Sequence, residues 1–316
     1  MQQNERQLLR VLLIEDSETD AMLIRREIER SNGFDLLMER VGTESDMRIA
    51  LHRKTWDIIL SDFRLPKLDA VKVLNILETF GLDIPFILIS GTISDAEADI
   101  VLAERRIHSF IKKSELARLG PTFRRELRAH AAYNETLVAW ARALEFRDLE
   151  TAGHSDRVTE LAIGLARAMH MSETEIIHIR RGALLHDIGK MAIPDEILLK
   201  PEKLNDEEFD VIKRHPQIAY QLLLPIIFLR KSLDIPYCHH EKFDGSGYPR
   251  GLKGGEIPLP ARIFSVVDVF DALTSNRPYR FSLSPRLALD YIRSEVGRHF
   301  DPQIVDVFVK MMELRK

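Results

Sequence analysis

The sequence predicts an α/β domain built around a parallel sheet, followed by an all-α domain. Up to about residue 115, short apolar runs alternate with amphipathic stretches of about 10 to 15 residues, which is typical of βα units. After about residue 121 helical periodicity dominates. The chain of 316 residues is 45% hydrophobic, enough to fill two cores in domains of about 100 to 200 residues each.

Four apolar runs in the first half are the expected strands of a doubly wound sheet. They are VLLI (11–14), WDIILSD (56–62), PFILIS (85–90) and SFIKK (109–113). Ligands of such sheets bind beyond the carboxyl ends of the strands, and polar residues follow the runs at those ends. These polar residues are Glu15, Asp16, Asp62, Ser90 and Lys113.

The acidic residues among these strand-end groups predict a magnesium site that can receive a phosphoryl group. Converging carboxylates repel one another and are normally neutralised by a hard cation such as Mg²⁺. We expect Glu15 and Asp16 to hold Mg²⁺ and Asp62 to act as the nucleophile. The Ser90 hydroxyl and the Lys113 ammonium would contact the phosphoryl oxygens.

A long helix is expected between the two domains, over residues 122–149, after the entry at Gly120-Pro121. Leu127, Asn134 and Ala141 recur there at seven-residue intervals. The spacing is compatible with pairing to a second copy in a dimer, or with packing of the helix on its own domain.

Histidines and aspartates are spread through the second half at intervals too wide for a zinc finger but suited to successive helices of a bundle. They are His154, His186-Asp187, His215, His239-His240 and Asp268. Mixed imidazole and carboxylate ligands suit Fe, Mn, Zn or Ni.

Composition excludes several classes of protein. The formal charge of -4 is spread over interspersed residues, so neither a nucleic-acid nor a membrane surface is predicted. The longest apolar run, at 222–229, is broken by Pro225 and too short to span a bilayer. The single cysteine, Cys238, cannot form an intrachain disulfide and is expected to be a small buried hydrophobe. A cytoplasmic protein is predicted.

Residues 9 to about 120 resemble the receiver domain of bacterial response regulators, a flavodoxin-like fold. The segments that carry the resemblance are IEDSETD, ILSDFRLP, ILISG and FIKKSEL, which occur in the family's order. Glu15 replaces a usual aspartate, Phe110 replaces a usual tyrosine and Ser114 replaces a proline. Lys113 is chosen over Lys112 by its offset from Phe110. The resemblance implies Asp62 as the phosphoacceptor and a sensor histidine kinase as partner.

Residues from about 140 to 314 resemble the HD-GYP branch of the HD metal-dependent phosphohydrolases. The segments are ALLHDIGK (183–190), HHEKFDGSGYP (239–249) and VVDVFDALTSNRPYR (266–280). The resemblance implies hydrolysis of cyclic di-GMP, to linear pGpG, GMP or both. It also implies three parts of the chain: a receiver domain (1–120), a connecting helix (121–149) and an HD-GYP domain (150–316).

The family pattern assigns roles to single residues of this sequence. The ligands of a two-metal centre would be His186, Asp187, His215, His239, His240 and Asp268, with Asp187 as the bridging carboxylate. Asp187 and Lys190 would be catalytic. Groups expected to contact substrate are Lys190, Gly247, Tyr248, Pro249, Arg277 and Arg280, with the glycines letting backbone approach the dinucleotide. The roles of Asp244 and Asp271 stay open.

Glu150 and His154 are four residues apart and share a face if that segment is helical. The pair resembles the HD-GYP subset that carries a third metal ion, and eight ligands are more than two ions readily use. The alternative is that Glu150 caps a helix or forms a surface ion pair. Iron is the first choice of metal and manganese the second.

Two other functions compete with a phosphodiesterase. One is a catalytically weak cyclic di-GMP sensor or adaptor, and the other is an HD phosphohydrolase for another nucleotide. The retained ligand set argues against the first and the Gly-Tyr-Pro triplet against the second. A homodimer and contacts with GGDEF-type proteins are further partner expectations.

Overall fold

A computed structural model of the chain describes residues 7–31, 33–63, 65, 68, 70–91, 107–148, 153–276 and 281–314. The chain divides into two compact units, Met1–Asn134 and Glu135–Lys316. Among the residues that the structure describes, no helix is both long and apolar enough to cross a lipid bilayer.

Unit 1 contains a parallel sheet of five strands in the order β2-β1-β3-β4-β5. The strands are β1 (Gln7–Ile14), β2 (Phe34–Val41), β3 (Ile58–Asp62), β4 (Phe86–Ser90) and β5 (Ser109–Lys112). Its described helices are α1 (Glu18–Arg30), α2 (Glu44–Arg53) and α3 (Ala70–Phe80), and a 3₁₀ turn covers Lys113–Arg118. This order confirms the predicted doubly wound fold.

The central strands of the sheet are apolar because both of their faces are covered. Strand β3 is buried at every residue before Asp62, and β4 is buried throughout. Both strands end on a polar residue, Asp62 and Ser90, and Lys113 follows β5 directly. Asp62, Ser90 and Lys113 therefore stand at the carboxyl ends of their strands, as predicted.

Helix α4 (Leu119–Asp148) contains the point at which the chain divides into its two units. Leu127 packs on the core of unit 1, and Ala141 is buried in unit 2. These two side chains thus pack within their own units, and pairing of the helix with a second copy stays a prediction.

Unit 2 is built from helices, as predicted. Beyond the end of α4 they are α5 (His154–Ala168), α6 (Glu173–Leu184), α7 (Asp195–Leu198), α8 (Asp206–Ile212), α9 (His215–Leu223), α10 (Asp234–Cys238), α11 (Leu259–Thr274), α12 (Pro285–Ser294) and α13 (Pro302–Glu313). Short 3₁₀ turns cover Ile188–Ala192, Ile227–Ser232 and Gly254–Glu256.

The main core of unit 2 lies between α5, α6, α11, α12 and α13, where Phe264, Phe300 and Phe308 are fully buried. Cys238 is buried as well, as expected, and burial raises the pKa of its thiol to about 12. Six of the predicted metal ligands stand at or just beyond the ends of these and neighbouring helices, and Asp268 lies within α11.

Candidate functional site

Seven of the eight predicted metal ligands lie at one place in unit 2. His154 begins α5, His186 and Asp187 follow α6, His215 begins α9, His239 and His240 follow α10, and Asp268 belongs to α11. Their ligand atoms form two groups, each within 4.8 Å: Asp187, His215, His239 and His240 in one, and His154, His186 and Asp268 in the other. Residues far apart in sequence therefore supply a compact set of nitrogen and oxygen ligands.

Asp187 lies where the two groups meet. Its Oδ2 atom is 3.1 Å from His186 Nε2, which belongs to the other group. Its Oδ1 atom is 3.2 Å from His215 Nε2 and 3.6 Å from His239 Nε2. One carboxylate thus faces both groups, as a bridging ligand must.

Backbone carbonyls orient three of the imidazole rings. The Nδ1 atoms lie 2.8 Å from Ala183 O for His186, 2.8 Å from Ile212 O for His215 and 3.0 Å from Ile235 O for His239. Because a carbonyl oxygen only accepts, each Nδ1 carries the proton and donates it. The lone pair of each ring is therefore on Nε2, the ligand form of a neutral histidine.

His154 is oriented by a carboxylate. Its Nδ1 lies 2.8 Å from Asp271 Oδ2, while its Nε2 is 3.5 Å from Asp268 Oδ1. Arg157 holds Asp271 through Nε to Oδ1 at 2.7 Å and Nη2 to Oδ2 at 3.0 Å. Burial alone would raise the pKa of Asp271, but the hydrogen bonds from His154 and Arg157 lower it to about 2. Asp271, whose role the sequence left open, therefore orients His154 by accepting a hydrogen bond from its Nδ1 atom.

The protonation states in this cluster fit a divalent cation. Burial lowers the pKa of both His239 and His240, which keeps the rings neutral. Burial alone would raise the pKa of Asp187, but its interactions with His186 and the positive charge of Lys190 hold it well below its usual range. Asp187 Oδ1 is buried and has no partner in hydrogen-bonding geometry among the described residues. Neutral imidazoles around an ionised carboxylate are what metal binding requires.

Lys190 stands beside this carboxylate. Its ammonium lies 2.7 Å from Asp187 Oδ2 and 2.6 Å from Asp148 Oδ2 at the end of α4. The side chain of Asp148 is only 9% exposed. The positive charge of Lys190 therefore lies between two shielded carboxylates at the edge of the cluster.

The loop after the histidine pair is packed against itself. A Cβ at Gly247 would collide with the backbone of Glu241 and Lys242, so this glycine is required by the chain's own fold. The expectation that Gly247 also gives a ligand access to the backbone stays a prediction. Tyr248 precedes Pro249 and stacks on His240, with ring centroids 4.7 Å apart and an angle of 27°.

Glu241, which the sequence interpretation did not assign, holds this loop in place. It is 2% exposed and accepts the backbone N–H of Arg250 at 2.7 Å and of Leu252 at 3.0 Å. Its position directly after two metal-ligand candidates was the available signal. Asp244, also left open, accepts the N–H and hydroxyl of Ser246 within a turn of the same loop.

Three predicted site residues, Glu150, Arg277 and Arg280, lie outside the described residues.

In unit 1 the carboxylates of Glu15, Asp20 and Asp62 converge within 4.8 Å. Lys113 Nζ lies 2.7 Å from Asp62 Oδ2 and 3.1 Å from Glu15 Oε2, and it also pairs with Asp20. Asp16, predicted for this group, is exposed and lies outside it. Asp20 reaches the group from the first turn of α1. Ser17 caps this helix, because its side chain accepts the backbone N–H of Asp20.

Burial and charge shape this second cluster. Burial raises the pKa of Glu15, although the bond from Lys113 opposes the shift. Burial alone would lower the pKa of Lys113, but hydrogen bonds to Asp20, Asp62 and Glu15 raise it above its ordinary value. Ser90 is buried at the end of β4, opposite Lys112 in the parallel register. A lysine held by three carboxylates marks a place where a cation is favoured.

Known families match both units. A family model for the response regulator receiver domain matches residues 11–120, and one for the HD domain matches residues 139–304.

Two curated relatives are similar to this chain over nearly its whole length. The chain is 34% identical to the cyclic di-GMP phosphodiesterase response regulator RpfG of Xanthomonas campestris, over 96% of this chain and 87% of that protein. It is 32% identical to a cyclic di-GMP phosphodiesterase of Thermotoga maritima, over 95% of this chain and 90% of that protein. A 3'3'-cGAMP-specific phosphodiesterase of Vibrio cholerae is 37% identical over 58% of this chain and 40% of its own length.

Proposed function

Because the chain belongs to the HD domain family and carries a response regulator receiver domain, we propose that it is a two-component response regulator that hydrolyses cyclic di-GMP. The receiver domain, the connecting helix and the HD-GYP domain would span 1–120, 121–149 and 150–316. The two relatives similar over nearly the whole chain are named for cyclic di-GMP phosphodiesterase activity, which supports this substrate. The product would be linear pGpG, GMP or both.

The observation that carries the proposal is the convergence of two ligand groups on Asp187. The first ion would be held by Asp187, His215, His239 and His240, and the second by Asp187, His186 and Asp268, with His154 left for a third ion. Such ions supply a water of lowered pKa and neutralise charge on phosphoryl oxygens. Iron is our first choice and manganese our second, because imidazole and carboxylate ligands suit both.

The surrounding side chains would bind and orient the phosphodiester. The Lys190 ammonium would donate to a phosphoryl oxygen from its place beside Asp187. Arg277 and Arg280 would offer further paired donors. Burial raises the pKa of Tyr248, so its phenol stays protonated and can face the dinucleotide beside His240.

The test is turnover by the full chain purified without oxygen, with metal analysis of the same preparation. We expect hydrolysis of cyclic di-GMP, and loss of it in both His186→Ala and Asp187→Ala, because each removes a metal ligand. Asp306→Ala, an exposed carboxylate on α13, is the matched control and should retain activity. Wild-type turnover in either ligand variant would refute the site.

The same preparation distinguishes the alternatives. A sensor or adaptor would bind cyclic di-GMP without hydrolysing it. Preference for 3'3'-cGAMP would favour the activity named for the Vibrio cholerae relative.

We further propose that Asp62 accepts a phosphoryl group from a sensor histidine kinase, with Mg²⁺ held at the carboxylate cluster by Glu15 and Asp62. A small phosphodonor with Mg²⁺ should produce an acid-labile acyl phosphate. Asp62→Asn should prevent it, because an amide is not a nucleophile, while Asp46→Asn on the surface of α2 should not. Equal labelling of the Asp62 variant would identify another acceptor.

A third metal ion at Glu150 and His154 belongs to the same proposal. We expect about three ions per chain, falling toward two in Glu150→Ala. A value of two that this change leaves unaltered would leave Glu150 without a metal role. A cytoplasmic location, a homodimer and contacts with GGDEF-type proteins stay predictions.

A further inference from the structure

The side chain of Arg147, in the last turn of α4, is bonded to one short segment of unit 2. Its acceptors are the backbone carbonyls of Lys190 (3.1 Å), Met191 (2.7 Å) and Ile193 (2.6 Å), and Asp195 Oδ1 (3.1 Å from Nε and 2.7 Å from Nη2). A guanidinium has five N–H donors in a fixed planar arrangement. All five are directed at residues 190–195.

The main-chain bonds rather than the ion pair hold this segment. Asp195 is 66% exposed, so its pairing with Arg147 is screened by water and contributes little. Arg147 is 27% exposed, and its bonds to carbonyls are shorter than 3.2 Å and charge-assisted. Losing the guanidinium would remove a partner from three carbonyls at once.

The segment is also fixed on its other side. A Cβ at Gly189 would collide with the carbonyl oxygen of His215, so the turn Ile188–Ala192 lies directly on the start of α9. Asp148, the residue after Arg147, accepts a hydrogen bond from Lys190 Nζ. Lys190 is thus held through its carbonyl by Arg147 and through its ammonium by Asp148.

We propose that Arg147 is a positioning residue for the phosphodiesterase site. It holds the backbone of residues 190–195 so that the Lys190 ammonium stays 2.7 Å from Asp187. The inference rests on the proposed function, in which Lys190 contacts the substrate phosphate. Arg147 would bind neither the metal ions nor the substrate, and it would fix the position of the Lys190 ammonium through the backbone.

The test compares Arg147→Gln, Arg147→Lys and Arg147→Ala in the full chain with Arg142→Gln. Arg142 is the matched control because it is an exposed arginine on the same helix. Its Nη2 atom is 3.7 Å from Oδ2 of Asp156, which is also exposed. We expect Arg147→Gln to lower kcat about 10- to 100-fold, as loss of outer partners does at metal sites, with metal content unchanged. Arg147→Lys should be intermediate, because an ammonium has three donors and no planar fork.

Two readouts separate positioning from general stability. Amide hydrogen exchange should become faster in residues 188–195 and stay unchanged in α12 and α13. Guanidinium chloride should restore several-fold activity to Arg147→Ala at a concentration where NaCl of equal ionic strength does not.

Arg147→Gln within twofold of wild-type kcat would overturn the proposal. So would faster exchange throughout unit 2 together with no rescue by guanidinium, since that result describes a merely structural residue. If the wild-type chain hydrolyses no cyclic dinucleotide, the proposed function fails, and hydrogen exchange still decides whether Arg147 holds residues 188–195. Unchanged exchange there would overturn the positioning role independently.

Discussion

Replacing Glu241 by glutamine tests whether one buried carboxylate holds the loop that carries Tyr248. The carboxylate accepts two backbone N–H groups, one on each oxygen, from Arg250 and Leu252. A glutamine amide keeps one acceptor oxygen, but its NH₂ group then faces the other backbone N–H. Two donors cannot bond to each other, so one N–H is left unsatisfied inside the protein.

The magnitude follows from these two losses. A hydrogen bond to a charged group contributes about 1.5 to 3 kcal/mol, and an unsatisfied buried N–H costs about 1 to 3 kcal/mol. Since relaxation of the loop recovers part of this, we expect a decrease of about 3 kcal/mol in the free energy of unfolding of unit 2. For a domain of this size that corresponds to a fall of roughly 10 °C in Tm. The KM for cyclic di-GMP should rise about tenfold, because displacing the loop that carries Tyr248 should weaken substrate binding by about 1.4 kcal/mol, which is a factor of ten.

Calorimetry of the full chain with bound metal measures the stability, and the transition that metal shifts upward identifies unit 2. Glu256→Gln is the matched control: this exposed carboxylate lies in the same loop and accepts one backbone N–H, from Lys253 at 3.1 Å. Its effect should stay within about 0.5 kcal/mol. A Glu241→Gln variant that melts with the control would refute the reasoning.

Three more changes test the metal centre and its surroundings. Asp271→Asn should weaken metal binding about 10- to 100-fold in a chelator competition, because His154 loses its carboxylate partner; unchanged affinity would separate Asp271 from the centre. Burial and the charge of Lys242 lower the pKa of His299 from 6.5 to about 4, so the unfolded chain takes up this proton first as the pH falls. Between pH 6.5 and 4 this group should lower the free energy of unfolding of unit 2 by at most about 3 kcal/mol. His299→Gln should therefore show a weaker dependence of stability on pH than the wild type, and parallel pH profiles of the two would contradict the assignment. Gly189→Ala should lower Tm by several degrees, because its Cβ collides with His215 O, and an unchanged Tm would contradict that packing.

The three central strands of the sheet could be predicted from their continuous apolar runs, and the edge strand β5 from a short run that ends on lysines. Four apolar runs correspond to β1, β3, β4 and β5. Strand β2 was not identified, because it lies at the edge of the sheet and most of its side chains are partly or fully exposed. An edge strand does not need the continuous apolar run that marks a central one.

The carboxylate cluster of unit 1 contains a residue that the sequence did not single out. Asp16 follows Glu15 directly, yet Asp20 is the residue whose carboxylate joins the group. After a strand ends, the path of the following loop and helix decides which side chain returns to the site, and spacing alone does not reveal that path.

The sequence by itself determined the chemical inventory of this protein: the types of ligand, their order along the chain and the two fold classes. These follow from residue identity and from periodicity, which are local properties. Only the tertiary structure decided that Asp187 lies between two ligand groups, that Asp271 stands behind His154, and that Arg147 holds the backbone beside Lys190. The partners in such contacts include backbone carbonyls and residues distant in sequence, and folding alone brings them within hydrogen-bonding distance.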